Sequence, residues 1–170
     1  CVKHYALNNQ EFNRHTTNVQ LSDRALYEIY LPAFKAAVQE GRAWAIMGSY
    51  NLYQGEHACQ NKRLLKDILR DEWGFDGVVV SDWGGVHNTR QAIMNGLDME
   101  FGSWTNGLSN GASNAYDNYY LAFPYLRMIK NGEVGTKELD EKVGNILRLI
   151  FRTSMNPNKP FGSLGSPEHG

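Results

Sequence analysis

The run GVVVSDWGG, residues 77–85, limits the possible folds of this chain more than any other stretch. Val78, Val79 and Val80 are β-branched and favour pleated backbone. A continuous apolar run, unlike an alternating one, predicts a strand covered on both faces, as in parallel sheets flanked by helices. Asp82 then stands where the buried strand surfaces, at the end where parallel α/β folds place their ligands. Position and residue type leave two readings of it: an active-site group, or the cap of the helix that follows.

The neighbouring segments alternate in kind. LSDRALYEIYLPAFKAAVQEG, residues 21–41, predicts a helix capped by Ser22 and stopped by Gly41. Leu26, Ile29 or Tyr30, Phe34 and Val38 would face inward, and Pro32 would kink it. AWAIMGSY, 43–50, reads as a strand. NKRLLKDILRDEWG, 61–74, reads as a helix with Asn61 as cap, Leu64, Leu65, Ile68, Leu69 and Trp73 inward, and Gly74 as stop. After the valine strand come a short helix in VHNTRQAIMNG and a third strand, LDMEF at 97–101, again with carboxylates where it ends. Two further helices are expected, one near 116–130 interrupted by Pro124, the other near 137–152 with Leu139, Val143, Ile146, Leu147 and Ile150 on one face. The stretch 102–114 reads as a surface loop over a site, and NPNKPFGSLGSPEHG as a linker.

Such alternation implies a parallel sheet, either open and doubly wound or closed as an eightfold barrel, and spacing alone does not choose. A complete barrel takes about 250 residues. With 170 residues and three or four strand-helix units, the chain is a small open sheet or part of a barrel.

Composition removes several classes of partner. The net charge is −1 with no long Lys/Arg run, which argues against a nucleic-acid or anionic-membrane surface. No apolar stretch approaches the ~18 residues a membrane span needs, and CVKHYALNNQ lacks the order of a signal peptide. Cys1 and Cys59 match neither a zinc framework nor a disulfide-rich scaffold, and they pair only if the fold brings them together. His15, His57, His87 and His169 lack metal-ligand spacing and read as surface or loop residues. GSYNLYQG has neither dinucleotide nor P-loop spacing.

The polar candidates each carry a plain alternative. Lys3, His4, Asn8, Asn9 and Gln10 offer the donors and acceptors that suit a polyhydroxylated ligand, or form a solvated strand end. Tyr50 at a strand end is placed to hydrogen-bond a neighbouring carboxylate, or is simply half-buried. Trp83 is a platform for a sugar ring or a core residue.

Taken together, KHYALNNQE, SDRALYEIYLPAFKAAV, IMGSYNLYQG, LLKDILRDEWGFDGVVVSDWGG and NGLDMEF resemble glycoside hydrolase family 3, the β-glucosidase and β-xylosidase family, in order and spacing. The resemblance implies an α/β fold, part of a (β/α)8 TIM-like barrel, within a larger two- or three-domain enzyme. Residues 1–152 would be the C-terminal portion of the barrel domain, and 153–170 a linker toward an α/β sandwich domain. By the same correspondence Asp82, in SDW, matches the nucleophile. Lys3 and His4 would hydrogen-bond the sugar, Tyr50 would lie beside the nucleophile, Met47 near the sugar, and Trp83 against the ring or the aglycone. Arg14 and Glu11 fall in a matching run as further candidates.

The implied mechanism is retaining: Asp82 as carboxylate attacks the anomeric carbon, and water releases the sugar with its configuration kept. Cationic Lys3 and the Tyr50 hydroxyl would favour that form. A second carboxyl group about 5 to 5.5 Å away must act as acid/base. In the family it usually comes from the sandwich domain, so it is expected outside this chain. No metal or other cofactor is called for. The implied function is release of terminal β-D-glucose from β-glucosides and cello-oligosaccharides by an exo-acting enzyme. The alternatives are a β-xylosidase, or a silent carbohydrate-binding fragment. The expected partners are a β-linked glucoside or xyloside and the remaining barrel strands and sandwich domain, on the same or a separate chain; the compartment stays open, a periplasmic or secreted one being favoured over the cytoplasm.

KHYALNNQE differs from the KHFPGHG-like loop of the N-acetylglucosaminidase branch, which favours an ordinary hexose or pentose. Tyr5 replaces a common Phe, and Gln54 a common Asn. A flavodoxin-like phosphoacceptor domain would need acidic residues near the first strand, where only Glu11 follows it.

Overall fold

The computed structural model describes residues 1–102 and 115–153. Along the chain run β1 (Val2–Tyr5), β2 (Asn18–Val19), α1 (Asp23–Ala25), α2 (Pro32–Gln39), β3 (Ala45–Gly48), β4 (Leu52–Tyr53) and β5 (Glu56–His57). Then follow α3 (Arg63–Glu72, π-helical in its hydrogen bonding), β6 (Val78–Val80), α4 (Thr89–Met94), α5 (Phe123–Lys130) and α6 (Lys137–Thr153).

The main sheet is parallel, ordered β1-β3-β6, and a parallel bridge from Val80 to Met99 adds one more position. Each strand lies beside its predecessor. Strands added in succession are what an arc of a barrel requires, and one half of a doubly wound sheet shows the same order. The expected third strand is reduced to that bridge around Met99.

Register explains the two apolar faces. Ile46 pairs with Val79, and both join the cluster containing Leu64, Leu65 and Ile68 of α3. Met47 pairs with Val80 and joins Val78 in a second cluster, completed by Met99, Phe101, and Ile146 and Leu149 of α6. The valine run is covered on both sides, the reason it shows no alternation.

Local signals set the helices. Ser22 Oγ accepts from the Ala25 N–H at 3.2 Å, and Asn61 Oδ1 from the Leu64 N–H at 2.9 Å, the capping roles expected of them. Instead of kinking one helix, Pro32 starts a new one. The chain passes from α1 through a π-helical stretch, Leu26–Tyr30, and α2 restarts with proline in its first turn, where no N–H is needed. Pro124 likewise opens α5 rather than interrupting a helix. Tyr30 packs on the core while Ile29 is 70% exposed.

The last helix departs most from expectation. Of the apolar stripe on α6 only Ile146 packs inward, whereas Leu139, Val143, Leu147 and Ile150 are exposed. The inward face carries Lys142 and Asn145, held by polar partners at the foot of the sheet. Lys142 Nζ donates to the carbonyls of Ile93 and Leu97 at 2.8 and 2.6 Å, and Asn145 to Asp98 at 2.9 Å. Burial pushes the Lys142 ammonium down to about 8.

A second small sheet, β2-β4-β5, follows the end of β3. Its hairpin turns through Gln54 at φ +53° and Gly55 at φ +82°. A turn with both central residues in the left-handed region favours asparagine at the first of them, so Gln54 occupies a position where Asn fits more easily. Cys1 is exposed, Cys59 is buried, and both are free thiols. The predicted loop from 103 and the linker-like tail from 156 lie outside the described residues.

Candidate active site

Three adjacent strand ends converge at one edge of the sheet. β6 delivers Asp82, two residues past Val80, with only 8% of its surface exposed. β1 delivers Lys3 and His4, and the turn after β3 delivers Tyr50. The His4 imidazole Nε2 stands 3.5 Å from Asp82 Oδ2. Asp82 Oδ1 accepts the Trp83 backbone N–H at 2.8 Å. The Tyr50 hydroxyl donates to the same carboxylate, and burial, reinforced by the charge and the bond of Asp82, pushes that phenol up to about 12. Tyr50 is therefore a neutral donor across the physiological range.

Lys3 is exposed and makes no ion pair among the described residues, so the cation expected beside Asp82 is replaced in that place by the His4 ring. Arg14 arrives by another route. Its guanidinium lies 4.6 Å from the Tyr50 ring centroid and is held by Glu11 at 2.6 Å. Met47 is on the sheet face shared with Val78 and Val80 and is 7% exposed. Trp83 is 57% exposed, its ring 5.2 Å from that of Phe101, and a Cβ on Gly102 would collide with the indole. In this chain the Trp83 indole lies at the surface rather than in the core. A helix-capping role for Asp82 is excluded, because Asn88 caps α4 by accepting from the Gln91 N–H at 3.0 Å.

Three histidines read from sequence as surface or loop residues are gathered here. His15 lies 4.3 Å from the Tyr50 ring, and the rings of His57 and His87 stack at 3.7 Å. His57 Nδ1–H donates to the Tyr50 carbonyl at 3.1 Å. Burial pushes both stacked rings down, His87 to about 4, helped by the positive charge that His57 and His15 would carry. Nothing in their spacing announces this, since the β4-β5 hairpin must fold back to bring His57 to His87. Among the described residues no group of three His, Cys, Asp or Glu could hold a metal ion.

The carboxylates of LDMEF serve the scaffold. Asp98 Oδ2 accepts from Arg70 at 2.6 Å and from the Val79 N–H at 2.7 Å, while Glu100 accepts the N–H groups of Tyr120 and Leu121 at 3.1 and 2.7 Å.

A carboxylate at the upper end of a parallel strand, flanked by an imidazole, a phenol donor and an open indole, is a site suited to a sugar ring. Residues 1–149 match the model of the glycosyl hydrolase family 3 N-terminal domain. The chain belongs to this family. Its sequence is 58% identical over 169 residues to β-glucosidase BoGH3A of Bacteroides ovatus, covering 99% of this chain and 23% of that protein. It is 50% identical over 152 residues to an exo-α-(1→6)-L-arabinopyranosidase of Bifidobacterium breve, covering 89% of this chain and 18% of that one. Among solved structures, β-glucosidase 3B of Thermotoga neapolitana in complex with α-D-glucose superposes with a TM-score of 0.80 at 32% identity, over 99% of this chain and 22% of that one. This family 3 chain therefore spans about a fifth of the length of the relatives it matches, and its arc of strands is part of their barrel domain.

Proposed function

We propose that this chain carries the nucleophile of a retaining exo-β-glucosidase, with Asp82 as the attacking group. The observation that carries the reading is the placement of Asp82: only 8% exposed, at the end of β6, within 3.5 Å of His4 and beside an exposed Trp83. In the first step an Asp82 oxygen forms an ester bond to the anomeric carbon as the glycosidic bond breaks, and the leaving oxygen takes a proton from an acid/base. In the second, water attacks that carbon, gives its proton to the same acid/base, and restores the carboxylate. The acid/base is a second carboxyl group about 5 to 5.5 Å from Asp82.

Tyr50, as a neutral donor, holds the Asp82 carboxylate in orientation, and His4 and Lys3 bind sugar hydroxyls at the rim. Met47 forms the apolar floor, Trp83 stacks on a ring face, and Arg14 acts through Tyr50. A second reading is supported by the 50% identity to an arabinopyranosidase. α-L-Arabinopyranosides and β-D-glucopyranosides present the same equatorial leaving group, so one nucleophile serves either sugar.

The deciding experiment incubates the full-length enzyme with 2-deoxy-2-fluoro-β-glucosyl fluoride and maps the labelled peptide by mass spectrometry. Label on Asp82 is expected. Label on another carboxylate, or rapid turnover by Asp82→Asn, overturns the assignment. The kcat/KM ratio for aryl β-glucoside against aryl α-L-arabinopyranoside decides between the sugars.

A further inference from the structure

Three strand ends carry the candidate groups, and one buried thiol lies where they meet. Cys59, in the short turn Ala58–Gln60, has no exposed surface. Its S–H donates to the Ser49 carbonyl at 3.3 Å, and its sulfur packs under the turn that begins at Asp82, against Gly85. Ser49, also fully buried, has its Oγ 2.7 Å from the Ala6 carbonyl and 2.8 Å from Asn51 Oδ1, two acceptors for its one proton. The result is a buried polar tie: the thiol links the turn after β6 to the Ser49 backbone, and the Ser49 hydroxyl stands against the Ala6 carbonyl. It joins the ends of β6, β3 and β1, and Ser49 and Ala6 lie within two residues of Tyr50 and His4.

Packing reserves that place for sulfur. A Cβ added to Gly48, the last residue of β3, would come within 2.7 Å of Cys59 Sγ, and so would a Cβ on Gly85. Gly85 closes the turn that carries the reacting carboxylate, its N–H donating to the Asp82 carbonyl at 3.0 Å. The thiol thus fills the gap between two bare backbones, and it is one of the few uncharged groups of that size able both to donate and to accept.

We infer that Cys59 is a positioning residue for Asp82: its thiol fixes the carboxylate relative to the Tyr50 hydroxyl and the His4 ring. The inference rests on the assignment of Asp82 as nucleophile. Alanine at 59 leaves the Ser49 carbonyl without its partner and opens space beneath the turn that carries Asp82. Serine keeps a donor and an acceptor in nearly the same place.

The test compares Cys59→Ala, Cys59→Ser and Asp82→Asn in the full-length enzyme, measuring kcat, KM and melting temperature on an aryl glycoside. Cys59→Ala should lower kcat about tenfold with KM nearly unchanged, since a loosened nucleophile loses attack geometry rather than substrate contacts. Cys59→Ser should recover most of that loss. If Cys59→Ala proves too unstable to assay, a folded Cys59→Ser within about threefold of wild-type kcat supports the positioning role. A Cys59→Ser enzyme with native melting temperature and the full loss of kcat overturns it, as does a Cys59→Ala enzyme with wild-type kcat. If those variants are normal while Asp82→Asn is inactive, only the positioning role falls. If Asp82→Asn is active, the nucleophile assignment falls first.

Discussion

Two aspartates at neighbouring strand positions are buried almost equally, Asp82 at 8% and Asp98 at 6% exposure, yet they serve opposite ends of the sheet. Asp98 is engaged on both oxygens, by Arg70 and the Val79 N–H on one and by Asn145 on the other. Asp82 keeps a short local bond to the Trp83 N–H and a phenol donor, with an imidazole at 3.5 Å and an exposed indole alongside. Burial and residue type do not separate the two. The direction and number of donors do: the Asp98 oxygens are spent on the scaffold and bind helix to sheet, whereas the proposed nucleophile Asp82 has fewer scaffold donors. In barrels the upper face carries chemistry and the lower face stability, and this contrast follows that division.

The contrast is broken most directly at Asp82. Asp82→Asn should lower kcat by roughly a thousandfold or more while leaving the melting temperature close to wild type. Near-native turnover would make the two aspartates equivalent. Asp98→Ala should show the reverse. It leaves the Arg70 guanidinium, whose side chain is 16% exposed, without its carboxylate, and should cost about 3 kcal/mol in urea unfolding while the folded fraction keeps its kcat. A large drop in kcat at native stability would place Asp98 in the chemistry.

Smaller effects sharpen the comparison through pH. Lys142 is pushed down to about 8 by burial, so the unfolded chain holds its proton more tightly than the folded one between about 8 and the ordinary lysine value. Stability should therefore rise with pH across that window as the cost of burying the ammonium disappears. Lys142→Met should remove that rise and lose about 1 to 2 kcal/mol at neutral pH for the carbonyls left unpaired. An unchanged slope in melting temperature from pH 7.5 to 10 would exclude Lys142 as its source.

At the upper rim the smallest effect belongs to His87. Its folded value near 4 lies below the ordinary histidine value, because of burial and the neighbouring His57 and His15. Stability is whole above the ordinary value and should fall as pH drops from there toward 4. His87→Asn should flatten part of that acid limb. Equal losses in melting temperature between pH 7 and 5 in both proteins would show that the stacked pair does not contribute.

Much of the scaffold was legible in the sequence wherever a local rule acted alone. The valine run, the Ser22 and Asn61 caps, the Gly74 stop and the inward face of α3 depend on neighbours within a few residues. The run into Asp82 also marked the upper rim before any strand was paired. Reading failed where a partner came from far along the chain. Pro32 and Pro124 were read as breaks inside helices because proline alone does not say which helix it begins. The apolar stripe of α6 predicted the inward face, yet the partners available to that helix are carbonyls and Asp98, which draw Lys142 and Asn145 inward instead.

The sequence by itself thus determined the alternating elements, the doubly covered strand and the position of Asp82 at its end, since propensity, periodicity and capping are short-range. Tertiary structure alone decided that the strands follow one another in barrel order and that Asp98 belongs to the scaffold. It also brought three histidines and a buried thiol from separate segments to the rim beside Tyr50 and Asp82. Those outcomes depend on which distant groups meet, and no spacing along one chain encodes a meeting across dozens of residues.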